Sequence, residues 1–238
     1  MIILIIIVAL ILVFSSWMLT KKTLQRWIFG ILSLLLLGGS VFFFTDHVLH
    51  HTGMKIQTKT STKPIYTAGN TELAYGVLVY QEIGTDSGNY VLVYRDEKSD
   101  GKPKAHYTPD FNQPAAVLKK SATYKYTKND RATVTTITKR YHWNSHWAKL
   151  LYGFYGEEGQ LVSQKSTVSV PKETWLIVTQ KQSQQIKSLD EKMKQQSVEK
   201  KNGKTQNKQL TELEKTKGQQ VPTKQIVNKL RTLLKKVN

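Results

Sequence analysis

Residues 1–44, MIILIIIVALILVFSSWMLTKKTLQRWIFGILSLLLLGGSVFFF, decide the architecture. The run Met1–Leu19 carries no charged side chain. Wound as a helix at about 1.5 Å per residue, it reaches about 28 Å, close to the roughly 30 Å of a bilayer's hydrocarbon core. The run Trp27–Phe44 is again uncharged and long enough to cross. Between them lies a short polar loop, Thr20–Arg26, with Lys21, Lys22 and Arg26. Trp17 and Trp27 stand at the ends of the two runs, and indoles favour the headgroup region. Lipid-exposed backbone must satisfy its own hydrogen bonds, which a tight helical hairpin does. The expectation is a two-helix transmembrane hairpin, with helices over 1–19 and 27–44 and a loop over 20–26.

A cleaved signal peptide is the competing reading. Such a leader starts with basic residues and continues into a short apolar core. Nothing basic precedes the first run, which is also too long. The second run carries small residues at Gly38, Gly39 and Ser40 but stays apolar through Val41–Phe44. An anchor therefore accounts better for both. Lys21, Lys22 and Arg26 crowd the connecting loop, and the positive-inside rule then places that loop in the cytoplasm. Lys55, Lys59 and Lys63 oppose this at lower density, in a flank too large to weigh much in the rule. The expected place is the cell membrane, spanned twice, with the large C-terminal part extracytoplasmic.

The 238 residues leave room for one domain beyond these runs, since a domain takes roughly 100–200 residues. The absence of cysteine excludes structural disulfides, thiolate metal sites, cysteine nucleophiles and a lipobox cysteine. The net charge of +18 is uneven, because more than half of it falls in residues 181–238. A basic protein here means mainly a basic tail.

After a polar neck over 45–64, ending at Pro64, the pattern turns to strands. Gly76–Glu82 and Tyr90–Asp96 are near-copies, both carrying Val-Leu-Val-Tyr, and they flank the turn-rich stretch Gly84–Asn89. This predicts a β-hairpin whose continuous apolar residues have both faces at least partly covered. Residues 97–116, with Pro103, Pro109 and Pro114, read as a loop. Further strands are expected at Ser121–Thr127, Ala132–Trp143, Leu161–Val170 and Thr174–Thr179. Asn144 or Ser145 is placed to cap a short helix over His146–Phe154. The resulting expectation is a mainly-β, α+β extracytoplasmic domain over 65–180.

From Gln180 the composition shifts to Lys, Gln, Ser and Glu, and residues 195–209 hold almost nothing apolar. The tail, 181–238, is expected to be helical in part and disordered in part. After Pro222, residues Ile226, Val227, Leu230, Leu233, Leu234 and Val237 make one apolar face. Lys224, Lys229, Arg231, Lys235 and Lys236 lie around the others. The segment 223–237 is a basic amphipathic helix. It suits packing on its own domain, an anionic lipid or envelope polymer, or a partner membrane protein. Those five cations are the candidate anionic-surface residues, each worth about 1 kcal/mol beside an anionic membrane. Nucleic acid is disfavoured, because no recognised module is present and the domain is expected outside the cell.

Histidines raise the question of metal. Asp46, His47, His50 and His51 fall at spacings that neighbour one another on a helix. As a structural feature they make a polar cap on a membrane helix. As a site, His47, His50 and His51 suggest a membrane-tethered metal-binding sensor or metal-dependent enzyme. His142 and His146 are four apart, but a zinc pair needs one helix and a third ligand, and a helix starting near Asn144 excludes His142. Glu157-Glu158 sits between glycines as a surface turn, not as opposed catalytic carboxylates. No GxSxG, Walker A, HExxH or GxGxxG pattern occurs. No catalytic residue, cofactor or metal is assigned.

The paired apolar runs around Lys21-Lys22, the His47–His51 and Gly53-Met54-Lys55 stretch, and Trp147–Gly153 carry a resemblance. So do Leu161-Val162-Ser163 and Val170–Trp175. Over about residues 1–180 the chain resembles an uncharacterised family of two-span membrane proteins from lactic-acid bacteria, catalogued as a domain of unknown function. The resemblance implies a membrane protein of Gram-positive type and transfers no activity and no site. Anchor, basic tail and missing catalytic motifs lead to one expectation: a non-enzymatic accessory or envelope-associated protein presenting a binding domain outside the membrane.

Overall fold

The computed structural model describes residues 1–98, 101–110, 112, 117–154, 156–188 and 223–235. The chain forms two compact units, each discontinuous in sequence: Met1–Lys59 with Thr138–Ser163, and Thr60–Ile137 with Gln164–Asn238.

The first unit begins with two helices, α1 (Ile2–Met18) and α2 (Thr23–His50). α2 is long and apolar enough to cross a membrane; α1 is a shorter apolar helix. Their buried positions are Ile2, Ala9 and Ser16 of α1 and Gly30, Ser33, Ser40 and His47 of α2. Buried positions thus recur at about seven residues, the repeat of two helices wound around each other. A Cβ on Gly30 would lie 2.7 Å from the indole nitrogen of Trp17, so glycine is what lets that ring in. The hydroxyls of Ser33 and Ser40 donate to the carbonyls of Gly30 and Leu37, each at 2.9 Å, so neither hydroxyl is left unpaired.

α2 does not stop at Phe44. It runs on to His50, because Thr45–Leu49 contains no helix breaker, and ends where His51 turns left-handed at φ 52°. The chain then enters strand β1 (Met54–Pro64). The segment 45–64, read as a polar neck, is therefore helix end and strand. β1 is an edge strand in the order β1-β6-β7-β5. Lys55, Lys59 and Lys63 recur along it, and edge lysines oppose pairing with another chain. The first unit is completed by the ends of β6 (Thr133–Trp143) and β7 (Leu161–Pro171) with helix α3 (His146–Tyr152) between them. Ser145 is the N-cap of α3, its hydroxyl accepting from the amide of Ala148 at 3.1 Å.

The second unit is a mixed α+β domain. Its strands are β2 (Gly76–Glu82), β3 (Tyr90–Tyr94), β4 (Lys104–His106), β5 (Lys120–Thr127) and β8 (Trp175–Thr179), joined by segments of β1, β6 and β7. The second sheet has the order β4-β3-β2-β8. β2 pairs antiparallel with β3, Val79 opposite Val93, and parallel with β8, Gly76 opposite Trp175. Gly76 leaves its place to that indole, which a Cβ there would strike.

Alternation along β2 assigns its two faces. Leu78 packs with Leu92, Tyr94, Ala122, Val168 and Val170 in a core between the sheets. Val77 and Val79 pack with Leu176, Val178, Ile186 and Val227 on the other side. Ile186 belongs to residues 180–188, which are helical, and Val227 to α4 (Thr223–Lys235). A sheet covered on both faces needs apolar residues at every position, hence Val-Leu-Val-Tyr twice over. Each such side chain contributes about 1.5–3 kcal/mol on burial. Leu189, Met193, the stretch 195–209, Lys236 and Val237 lie outside the described residues.

Candidate functional site

His47 stands in the penultimate turn of α2, and its side chain is only 3% exposed. A carbonyl can only accept, so Nδ1 carries a hydrogen and donates to the oxygen of Thr52 at 2.7 Å. Nε2 faces Oε2 of Glu157 at 2.8 Å. The two side chains, one from the end of α2 and one from the loop after α3, are thus held face to face out of water. Tyr152 of α3 stacks on the imidazole at 4.2 Å and 13°, and Trp143 lies near-parallel to it at 5.6 Å. Burial, and secondly the charge of Asp46, push the Tyr152 phenol above its ordinary value. The arrangement ties α2 to the loop after α3 inside an aromatic box.

The other histidines go elsewhere. His50 is exposed and pairs with Asp46 at 2.9 Å, while His51 lies against Tyr141 at 4.2 Å with the rings tilted by 40°. Among the described residues no three His, Asp or Glu side chains gather so as to hold a metal. His142 lies in β6, outside α3, and its Nδ1 is 4.0 Å from Glu158, which also pairs with Lys149 at 3.0 Å. Glu157, expected on a surface turn with Glu158, is buried instead. The histidine it meets is over a hundred positions earlier, and only folding brings the two together. Sequence reasoning missed Glu157, Trp143 and Tyr152 as a group. The one local sign was a pair of acids set in a chain rich in cations.

Two cations of the basic helix engage its own unit. Arg231 donates to the carbonyl oxygens of Lys172 and Trp175, the latter at 2.8 Å, and lies 4.8 Å from the centre of the Tyr126 ring. Lys224 reaches Glu173 at 2.6 Å. Leu230 and Leu234 pack beside the buried Val227. Lys229 is on an exposed position of α4, the last residue of which is Lys235.

The second unit also has a recess of about 360 Å³. Tyr90, Tyr107, Asp110, Lys120, Gln164 and Ser166 are among the side chains around it. That lies within the usual size of small-ligand sites, about 300–1,000 Å³. Tyr107 is held there at φ 66°, a conformation uncommon for a bulky residue. Its hydroxyl is 3.2 Å from that of Tyr94.

Fold and site define the class: a mixed α+β domain with an N-terminal helix long and apolar enough to span a membrane. The chain belongs to the family described as a domain of unknown function (DUF4811), which matches residues 22–186. That match takes in all of α2 after its N-cap, both members of the His47–Glu157 pair and the strands through β8. No curated protein and no solved structure matches the chain.

Proposed function

We propose that this is a non-enzymatic, membrane-anchored accessory or envelope-associated protein that presents an extracytoplasmic binding domain. The observation that carries the reading is the inverted surface of α1 and α2. Their contact buries small and polar residues such as Ser33, 5% exposed, while Leu35 beside it is 68% exposed. Phe14, Leu32 and Phe42 are likewise turned outward. In water such a belt is unfavourable by about 25 cal/mol per Å² of apolar surface. Lipid removes that cost, and small residues at the seam then let two spanning helices approach closely. The cluster of Lys21, Lys22 and Arg26 between the helices supports a cytoplasmic loop and an outward domain.

The recess near Tyr107 and the cationic positions of α4 suit a binding role toward an anionic envelope polymer, anionic lipid or a partner membrane protein. The test is fractionation followed by protease treatment of intact cells. The full-length chain is expected in the membrane fraction, released only by detergent, and its domain is expected to be cut from outside. Recovery in the soluble fraction overturns the anchor; digestion only after lysis overturns the orientation.

A further inference from the structure

We infer that the outer face of α3 docks into the headgroup–acyl boundary of the same bilayer that takes α2; this rests on the proposed membrane anchor. α3 has two apolar faces. Ala148, Leu151 and Tyr152 pack inward with Ile2, Ile6 and Phe44. On the other side Trp147 is 72% exposed, Leu150 41% and, just past the helix, Phe154 42%. Positions three apart lie on one side of a helix, so Trp147 and Leu150 share a patch, and Phe154 follows just beyond the C-cap Gly153. A tryptophan turned almost wholly outward has no role in a core, and a contiguous apolar patch marks an interaction surface.

The occupant is indicated by where α3 sits within its unit. Phe44, at the end of the apolar run of α2, stacks on Phe154 at 6.3 Å. The N-cap of α1 reaches the same level: the amino group of Met1 donates to the carbonyls of Leu150 and Leu151 at 3.2 and 3.0 Å. The patch on α3 therefore adjoins the end of the outward belt of α1 and α2, at the height where α2 changes from Phe42-Phe43-Phe44 to Thr45-Asp46. That change marks the edge of the hydrocarbon. Tryptophan is the side chain that prefers this depth. Lys149 and His146 flank the patch and suit the phosphates just above it. A soluble partner would need a separate apolar surface at a place the bilayer already fills.

The chain contains no cysteine, so a single introduced one takes a label uniquely. The full-length protein is labelled with a nitroxide at W147C, and separately at L150C, in phosphatidylcholine–phosphatidylglycerol liposomes. Collisions with oxygen, which partitions into lipid, are compared with those of a water-soluble nickel chelate. L35C reports the anchor itself and S87C, in an exposed turn, reports water. The oxygen-to-nickel ratio at 147 and 150 is expected several-fold above that at 87 and below that at 35. A water-like ratio at 147 and 150 with a lipid-like ratio at 35 overturns the inference and leaves the anchor standing. Shielding of 147 and 150 from both reagents also overturns it, because a protein, such as a second copy, then covers the patch. A water-like ratio at 35 removes the anchor first and the inference with it.

Discussion

His47 Nε2 meets Glu157 Oε2 at 2.8 Å inside the first unit, a buried contact that joins the end of α2 to the loop after α3. Removing one member leaves the other buried without its partner, which costs about 3–5 kcal/mol, more than the pair itself is worth. H47A and E157A should each destabilise the detergent-solubilised chain by about 3 kcal/mol, and the double variant by clearly less than their sum. Additive losses in a thermal-unfolding cycle would show that the two residues act independently.

Leu78 and Leu92 are fully buried between the sheets, whereas Leu118 is almost fully exposed. L78A or L92A should lose about 2–5 kcal/mol, cavity included, and L118A less than about 0.5 kcal/mol. Denaturant titration reads all three. Comparable losses at 78 and 118 would contradict this packing.

Gly76 faces Trp175 across the parallel β2–β8 pair. G76A places a methyl in the indole's space, and the overpacking should cost about 1–3 kcal/mol. Repeating the substitution in a W175A background should make it close to neutral. Persistence of the full loss there would point to backbone strain instead.

Burial raises the phenol of Tyr94 well above its ordinary 10.0, with the Tyr107 hydroxyl as a second cause. The folded state therefore keeps Tyr94 neutral while the unfolded chain ionises near pH 10. Stability from this group is complete below that pH and falls as pH rises through and above it. Tyr124 is raised for the same leading reason. Unfolding midpoints measured from pH 8 to 11 should drop at the alkaline end, and Y94F should flatten the drop. An unchanged slope in Y94F would assign the alkaline loss to other groups.

Arg231 binds two backbone carbonyls and covers Tyr126. R231A should destabilise the second unit by about 1.5 kcal/mol, and R231K should restore little, since an ammonium lacks the planar fork. If α4 also contacts anionic lipid, charge removal at Lys224, Lys229, Lys235 and Lys236 should weaken binding to phosphatidylglycerol vesicles in a salt-dependent way. Unchanged binding of that variant would confine α4 to packing.

Much of this architecture was legible in one dimension. Uncharged length marked α2, β-branched runs marked β2, β3 and β5–β8, Ser145 marked the start of α3, and the apolar spacing after Pro222 marked α4. These features are local: a helix or strand is written in the period of its own residues. β1 was missed although Thr58, Thr60 and Thr62 alternate along it, because its faces are too polar to register as a buried strand.

The chain order could not reveal which distant positions meet. Glu157 reads like any turn acid until the fold sets it against His47, and Trp147 reads like a core residue until α3 turns it outward. Periodicity states which way a side chain points on its own element. Only tertiary packing decides what stands opposite, because burial and pairing depend on residues a hundred positions away.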